Sequence, residues 1–343
     1  MADWTIFEGS RRQHDRISEL PKPPKWRDFQ GGPPLPIPEG DPWNLHQARS
    51  YRPTAQVIEM VNVALYLRRP LLVTGPPGTG KSSLAGAIAY ELKLGPLLHW
   101  PITSRVTLRN GLYEYDPLTR LYDERREHTN KGGIGESSVG QQNGTTDDIG
   151  RYLRLGPLGT ALLPFDRPRV LLIDEIDKSD LDLPNDLLTI FEKGEYDIPE
   201  LSRRADPDAM VLTADPGPRV PVTAGIVRCR EFPLVVMTSN REREFPPAFK
   251  RRCIPLELDQ PSDERELTKI VEGHLDSLSA EQYSLVERLV RIFLDRQTTG
   301  DLATDQLLNA VYLCSHAIQH DAASIEDLAK KVMPYLSTIP RPR

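Results

Sequence analysis

Short apolar runs separated by amphipathic stretches organise the chain from residue 54 onward. Five of them, Leu71–Thr74, Leu97–Ile102, Val170–Ile173, Leu234–Thr238 and Ile254–Leu258, have the length of buried strands. Helical spacing fills several of the intervals. It begins with Val57, Val61, Ala64 and Leu65 in the stretch Ala55–Leu67, where Thr54 is a candidate N-cap. Strands alternating with helices predict a mostly parallel sheet covered on both faces. After Pro261 only helical spacing remains, over Asp263–Leu278, Glu281–Asp295, Asp305–Ala317 and Glu326–Leu336. Ser279 with Gln282 has the spacing of a capping box, and Ser324 with Asp327 a weaker version of it. The pattern therefore predicts an arm over residues 1–50, an α/β domain over 51–260 and a small all-α domain over 261–343. No internal repeat is evident.

Proline changes the picture of the first fifty residues. The chain holds 32 prolines in 343 residues, against a typical usage of about 5%, and they crowd between Pro21 and Pro42. Trp4, Trp26 and Trp43 lie in the same region. Proline-rich chain favours an extended, semi-rigid course over a packed helix, whereas the large apolar area of tryptophan seeks a surface. The arm is expected to dock, either on its own core or on a neighbouring copy. Residues 129–148 are polar and Gly-rich, an insert expected to be mobile or disordered.

Charge and cysteine usage narrow the class. The formal net charge is −6, so no bulk positive field draws the chain to nucleic acid. Cys229, Cys253 and Cys314 lie far apart without CxxC spacing. That argues against a disulfide framework or zinc ribbon and suits a reducing cytoplasm. No basic-then-apolar leader opens the chain, and no run approaches the roughly 20 apolar residues that span a bilayer. A cytoplasmic protein without a membrane segment is expected. His316 and His320 share a helix face near Cys314, but no HExxH pattern or third ligand accompanies them, so ordinary packing is expected there.

The candidate chemistry begins where Leu71–Thr74 runs into Gly75-Pro76-Pro77-Gly78-Thr79-Gly80-Lys81-Ser82-Ser83 and then a helical stretch. Strand, Gly-rich loop and helix come in the order of a phosphate-binding loop, in which backbone N–H groups and the helix N-terminus face the negative charge. Lys81 would reach the β- and γ-phosphates, and the Ser82 hydroxyl would bind Mg2+. The run Val170–Ile173 ends in Asp174 and Glu175, delivering two carboxylates where α/β sheets bind ligands. Asp174 would hold the magnesium shell, and Glu175 would polarise an attacking water. The next run ends in Ser239-Asn240, whose amide would orient that water. Before Ile254 stand Lys250-Arg251-Arg252, which by themselves suit a solvated patch. In phosphoryl transfer, however, an arginine from a neighbour stabilises transition-state charge.

Together these motifs resemble an AAA+ ATPase. The stretches Gly156–Leu162 and Asp186–Glu195 are similar to those of its MoxR branch. The likeness covers roughly residues 50–340 and leaves the Trp/Pro arm unexplained. It implies a P-loop α/β domain, with a five-stranded parallel sheet between helices, followed by an all-α lid. It implies hydrolysis of ATP with Mg2+ and a homo-oligomeric, hexameric ring. Asn240 becomes a γ-phosphate sensor and Arg252 a finger acting on the neighbouring subunit, with Arg251 as the alternative. Insertions before Asp174 and around Val211–Val227 would touch a protein substrate in the central pore, and a von Willebrand factor A domain protein is an implied partner. One feature departs from the family: the lid stretch Leu302–Leu308 carries no cation where a second sensor arginine is often placed, leaving Arg296 as a substitute. Two other readings stand beside this one. A slowly hydrolysing, nucleotide-gated assembly switch fits the missing lid cation. A clamp-loader-like nucleic-acid motor fits Arg251-Arg252-Cys253 but not the acidic balance.

Overall fold

The computed structural model describes residues 4–42, 44–131, 149–275, 279–297, 302–316, 327–329 and 331–335. Helices α1 (Leu45–Ser50) and α2 (Ala55–Leu67) precede strand β1 (Leu71–Thr74), which passes through a loop into α3 (Lys81–Glu91) and β2 (Leu98–Pro101). An insertion follows, made of α4 (Leu108–Leu112), β3 (Tyr113–Tyr115), α5 (Pro117–Lys131), β4 (Leu153–Leu155) and α6 (Pro157–Ala161). Then come β5 (Val170–Asp174), α7 (Asp182–Lys193), β6 (Glu195–Asp197) and α8 (Pro199–Ser202). Strands β7 (Ala209–Val211), β8 (Val220–Val222) and β9 (Ile226–Arg228) lead to β10 (Leu234–Ser239), α9 (Pro247–Lys250) and β11 (Ile254–Glu257). Helices α10 (Glu264–His274), α11 (Ala280–Gln297) and α12 (Thr304–His316) build the C-terminal region.

The five apolar runs are the five strands of one parallel sheet, in the order β11-β1-β10-β5-β2. Their ends agree with the expected ones to within a residue or so. Alternate residues face opposite cores. Leu72, Leu171, Ile173, Val235 and Met237 join the core containing α7 and the insertion. Leu71, Val73, Val170, Leu172, Leu234 and Val236 join the core under α2 and α3. Burial on both faces is why these strands read as continuous apolar runs rather than as alternating ones. A third core, around Leu289, Phe293, Leu307 and Val311, belongs to the helical region. The fold is thus an AAA+-type α/β domain with a helical lid region after it.

Local signals at helix starts act as their chemistry requires. The Thr54 hydroxyl accepts the Val57 N–H at 3.3 Å. Ser279 and Gln282 exchange both capping-box bonds, at 2.9 and 3.3 Å. Ser324 lies outside the described residues. Of the polar insert, residues 129–131 close α5 and the rest lies outside the described residues. The segment around Val211–Val227 forms two antiparallel pairs, β7 with β8 and β6 with β9. Among the described residues no helix is long and apolar enough to cross a membrane.

The arm is less extended than its prolines suggest, with 3-10 turns at Arg16–Glu19 and Lys25–Arg27 before α1. It docks on its own core. Ile6, Phe7 and Ile17 are buried against α2 and α3, and two buried polar side chains hold the backbone down. Asn62 accepts the N–H groups of Ile6 and Phe7 at 2.7 and 2.9 Å and donates to the Phe7 carbonyl at 2.8 Å. Glu91 accepts those of Glu8, Gly9 and Arg11 at 2.7, 3.0 and 3.1 Å. Trp4 sits edge-on to Tyr66, Trp26 is 78% exposed, and Trp43 lies outside the described residues.

Replacing Asn62 with Ala strands two buried N–H groups, each costing about 1–3 kcal/mol. Denaturant unfolding should show a loss of about 2 kcal/mol or more, and limited proteolysis should cut the arm first. Parent stability and parent proteolysis in Asn62→Ala would show that the arm is not held this way.

Candidate active site

The sheet order brings the C-terminal ends of β1, β10 and β5 together, with Thr74 beside Ser239 and Met237 beside Ile173. Every candidate residue of the P-loop, the acidic pair and the sensor lies at this edge. A cleft of about 420 Å³ opens there between the loop, the segment Tyr51–Thr54 and the helices α10 and α12. That volume falls within the range of small-molecule sites.

The loop conformation needs its glycines. A Cβ on Gly75 would stand 2.2 Å from the Leu258 carbonyl oxygen. Gly78 has φ +76°, and a Cβ there would meet Ala303 at 2.6 Å. The second approach sets the lid directly on the loop. Lys81 is nearly buried and turns its Nζ onto the carbonyls of Gly75 and Pro76, at 2.8 and 2.7 Å. Burial pushes its pKa down to about 8, opposed by the charges of Asp177, Asp174 and Glu175. Thr79 donates to the Pro76 carbonyl at 3.0 Å, closing the loop on itself. Pro77, Gly80 and Ser83 line the cleft.

Asp174 is the hub. Its Oδ1 accepts from Ser82 Oγ at 2.7 Å and from Thr238 Oγ1 at 2.6 Å, and its Oδ2 lies 3.5 Å from His99 Nε2. Burial works against this carboxylate, but hydrogen bonding with His99, Thr238 and Ser82 holds its pKa below the ordinary value. The Ser82 hydroxyl and the Asp174 carboxylate form a hard-oxygen pair, the donor set that suits Mg2+.

Glu175 adopts φ +60°, an uncommon conformation for a residue with a side chain. Its N–H donates to Thr238 Oγ1 at 2.8 Å. Its carboxylate meets Asn240 Nδ2 at 3.4 Å and Lys178 Nζ at 2.7 Å. Thr238 therefore serves both acids, accepting from one residue's backbone while donating to the other's side chain.

Arg252 lies apart from the cleft, its Nε paired with Glu192 on α7 and its Nη1 donating to the Ala248 carbonyl at 3.2 Å. Arg251 is exposed. Arg296 lies over the Tyr335 ring at 4.7 Å and does not line the cleft. In place of a lid arginine, α12 presents Thr304, Asp305 and Leu308. The cleft's other basic side chains are Arg52, just ahead of α2, and His274 on α10. Cys314 is buried in the lid core, His316 bonds the Tyr312 carbonyl at 2.7 Å, and His320 lies outside the described residues.

A P-loop, two carboxylates at the end of the strand two places across the sheet and a helical lid define a nucleotide-binding α/β protein. The model of the AAA domain (dynein-related subfamily) matches residues 70–253, more than half of the chain, and the chain belongs to that family. None of the curated proteins compared with the chain matches it. Membership carries nucleotide binding and ATP-driven activity in general terms; the arm and the lid lie outside the matched residues.

Sequence patterns missed Thr238, His99, Asp177, Arg52 and His274. Thr238 carried the one available signal, a hydroxyl at the end of an otherwise apolar run. Thr238→Val removes a donor from Asp174 and an acceptor from the Glu175 N–H. ATP turnover should fall about 10- to 100-fold, the usual effect of removing a supporting hydrogen-bond partner. Steady-state phosphate release at saturating ATP checks this, and parent-level turnover would mean that Thr238 is dispensable.

Proposed function

We propose that the chain is a MoxR-like ATPase that hydrolyses ATP in an oligomeric ring, hexameric in the simplest case, to remodel a partner protein. The observation that carries this reading is the joint placement of the Ser82–Asp174 pair and a Glu175 carboxylate flanked by Asn240 in one cleft. A nucleotide binder needs the first feature; hydrolysis needs the second as well.

In this reading the loop N–H groups and Lys81 bind the β- and γ-phosphates, Lys81 exchanging the Gly75 and Pro76 carbonyls for phosphate oxygens. Ser82 and Asp174 would hold Mg2+, which supplies charge neutralisation at the phosphates. Glu175, freed from Lys178, takes a proton from water. The water oxygen then bonds to the γ-phosphorus as the bond to the β,γ-bridging oxygen breaks, giving ADP and phosphate. Asn240 orients that water. Arg252 does not line its own cleft and in this reading acts on a neighbour's, with Glu192 holding it on that face until assembly.

One observation favours slower, switch-like turnover: α12 turns Asp305 rather than a cation into the cleft. Both readings assign the chemistry to Glu175. Glu175→Gln should keep ATP affinity but abolish turnover, because the amide takes no proton. Undiminished hydrolysis in that variant would move the base elsewhere and sink the assignment.

Arg252→Ala should bind ATP normally and hydrolyse it about 10³-fold more slowly, or slower still. Mixing it with Lys81→Ala subunits, which keep the finger but lose the phosphate-binding cation, should restore part of the rate. Normal hydrolysis by Arg252→Ala refutes the finger. Absence of rescue in mixed rings that demonstrably form refutes only its action between subunits.

A further inference from the structure

Beyond β10 the chain makes an abrupt bend at Arg241, which has φ +64°. The N–H groups on either side of this residue, those of Asn240 and Glu242, converge on one atom, Oδ2 of Asp177, at 2.9 and 3.1 Å. Successive N–H groups around a left-handed residue form an anion-binding concavity, and here the anion is a side chain of the same protein. Asp177 is 3% exposed, and its Oδ1 is buried with no hydrogen-bond partner. A charge held in that setting incurs a desolvation penalty, so stability alone is a poor reason for it. Its place in the chain is more informative. Asp177 sits in the 3-10 turn Ile176–Lys178, two residues past Glu175, and that turn is closed by the Lys178 N–H on the Glu175 carbonyl at 2.9 Å.

The bend and the turn are thus joined through one carboxylate, and the two residues they carry meet across the join. Asn240 Nδ2 reaches Glu175 Oε1 at 3.4 Å, near the outer limit of a hydrogen bond. A backbone shift of a few tenths of an ångström breaks that contact. No other described side chain accepts the Asn240 N–H.

We propose that Asp177 is a positioning residue that holds the sensor amide of Asn240 against Glu175 by binding the backbone bend that carries it. The assignment rests on the roles proposed above for Asn240 and Glu175. Asp177 touches neither nucleotide nor water in this scheme; its charge favours the charged form of Lys81, and its hydrogen bonds reach the reacting groups through Asn240.

The test compares full-length Asp177→Ala, Asp177→Asn and Asn240→Ala by ATP turnover, ATP-binding titration and thermal melting. Asp177→Ala should lower kcat by about 10- to 100-fold, the range for supporting partners of an active site, with ATP affinity kept. Asp177→Asn retains an acceptor for both N–H groups and should recover most of that rate. The Asp177→Ala/Asn240→Ala double variant should be no slower than Asn240→Ala, because residues acting as a unit are not additive.

Parent-like kcat in Asp177→Ala overturns the proposal, as does loss of ATP binding in step with kcat, or multiplication of the two effects in the double variant. If Asp177→Ala does not fold, Asp177→Glu takes its place: displacing the carboxylate by one methylene should lower kcat with affinity kept, and parent-like kcat there overturns the proposal. Asn240→Ala separates the two levels. Normal turnover in it refutes the sensor itself, whereas slow turnover beside a parent-like Asp177→Ala refutes only the positioning role.

Discussion

A carboxylate at the end of a buried strand is the constraint on which the rest of the site depends. β5 is apolar and closed to water along Val170–Ile173, so Asp174 emerges at the boundary of a low-dielectric core. An unpaired charge there is expensive, and the structure meets that cost with two hydrogen bonds and one ion-pair contact drawn from three other elements. Ser82 comes from the start of α3, Thr238 from the end of β10 and His99 from β2. Each donor pins its element to β5, so satisfying one charge also fixes the spacing between the phosphate loop, the acidic pair and the sensor strand. The preference of Asp174 for its charged form is the electrostatic record of that arrangement. The left-handed Glu175 then turns the second acid out of the strand line, and Thr238 holds its backbone while it does so.

The sheet and the first layer of the site were legible because they depend on local signals. Buried parallel strands are apolar throughout, and the loop Gly75–Ser82 carries a spacing that few other structures require. Asp174, Glu175 and Asn240 are found by standing at strand ends. Other parts depend on partners distant in sequence, and no periodicity announces them. Asn62 and Glu91 look like ordinary helix residues until Ile6 to Arg11 are laid across them. Proline content correctly marked the arm as unusual but says nothing of the buried Phe7, whose docking a composition-based picture of a solvated linker omits. Asp177 was missed because its partners are backbone N–H groups, which no side-chain pattern encodes.

Three segments far apart in the chain close the cleft, and each does so through an intimate contact. Tyr51 packs on Gly80 of the phosphate loop, Ala303 on Gly78, and Gly273 of α10 against the Ser50 carbonyl and Arg52. His46 of α1 and His274 of α10 also meet, with ring centroids 5.6 Å apart. The lid therefore rests on the end of the arm as well as on the loop. This matters because, among the described residues, the lid offers no arginine to the cleft. A cation that would draw the lid toward phosphate is replaced by packing against a segment that is itself held to α3, where Arg49 donates to the Tyr90 hydroxyl at 3.0 Å. Packing contacts of this kind therefore help to set where the lid sits.

The far end of β5 carries a second buried charge, and its cost bears on the insertion between β6 and β10. Arg169, fully buried just ahead of the strand, makes a two-pronged pair with Asp215 at 2.6 and 2.9 Å and donates to the Pro96 carbonyl at 2.7 Å. Its guanidinium also lies 5.0 Å from the Phe165 ring. Buried ion pairs of this kind rarely improve on apolar packing in stability, but they tolerate only one geometry. Asp215 lies between β7 and β8, so the pair fixes that hairpin to the beginning of the strand whose other end bears Asp174 and Glu175. The hairpin exposes Met210 on β7 and Leu212 just after it, and contributes Val211 and Val222 to the main core. A displacement of its outer residues cannot be absorbed by a loose joint at Arg169, because the pair must either stay intact or break at the full cost of stranding a buried charge. Rigid attachment of this sort couples the position of the hairpin to that of β5, whereas a flexible linker at the same point would leave the two independent.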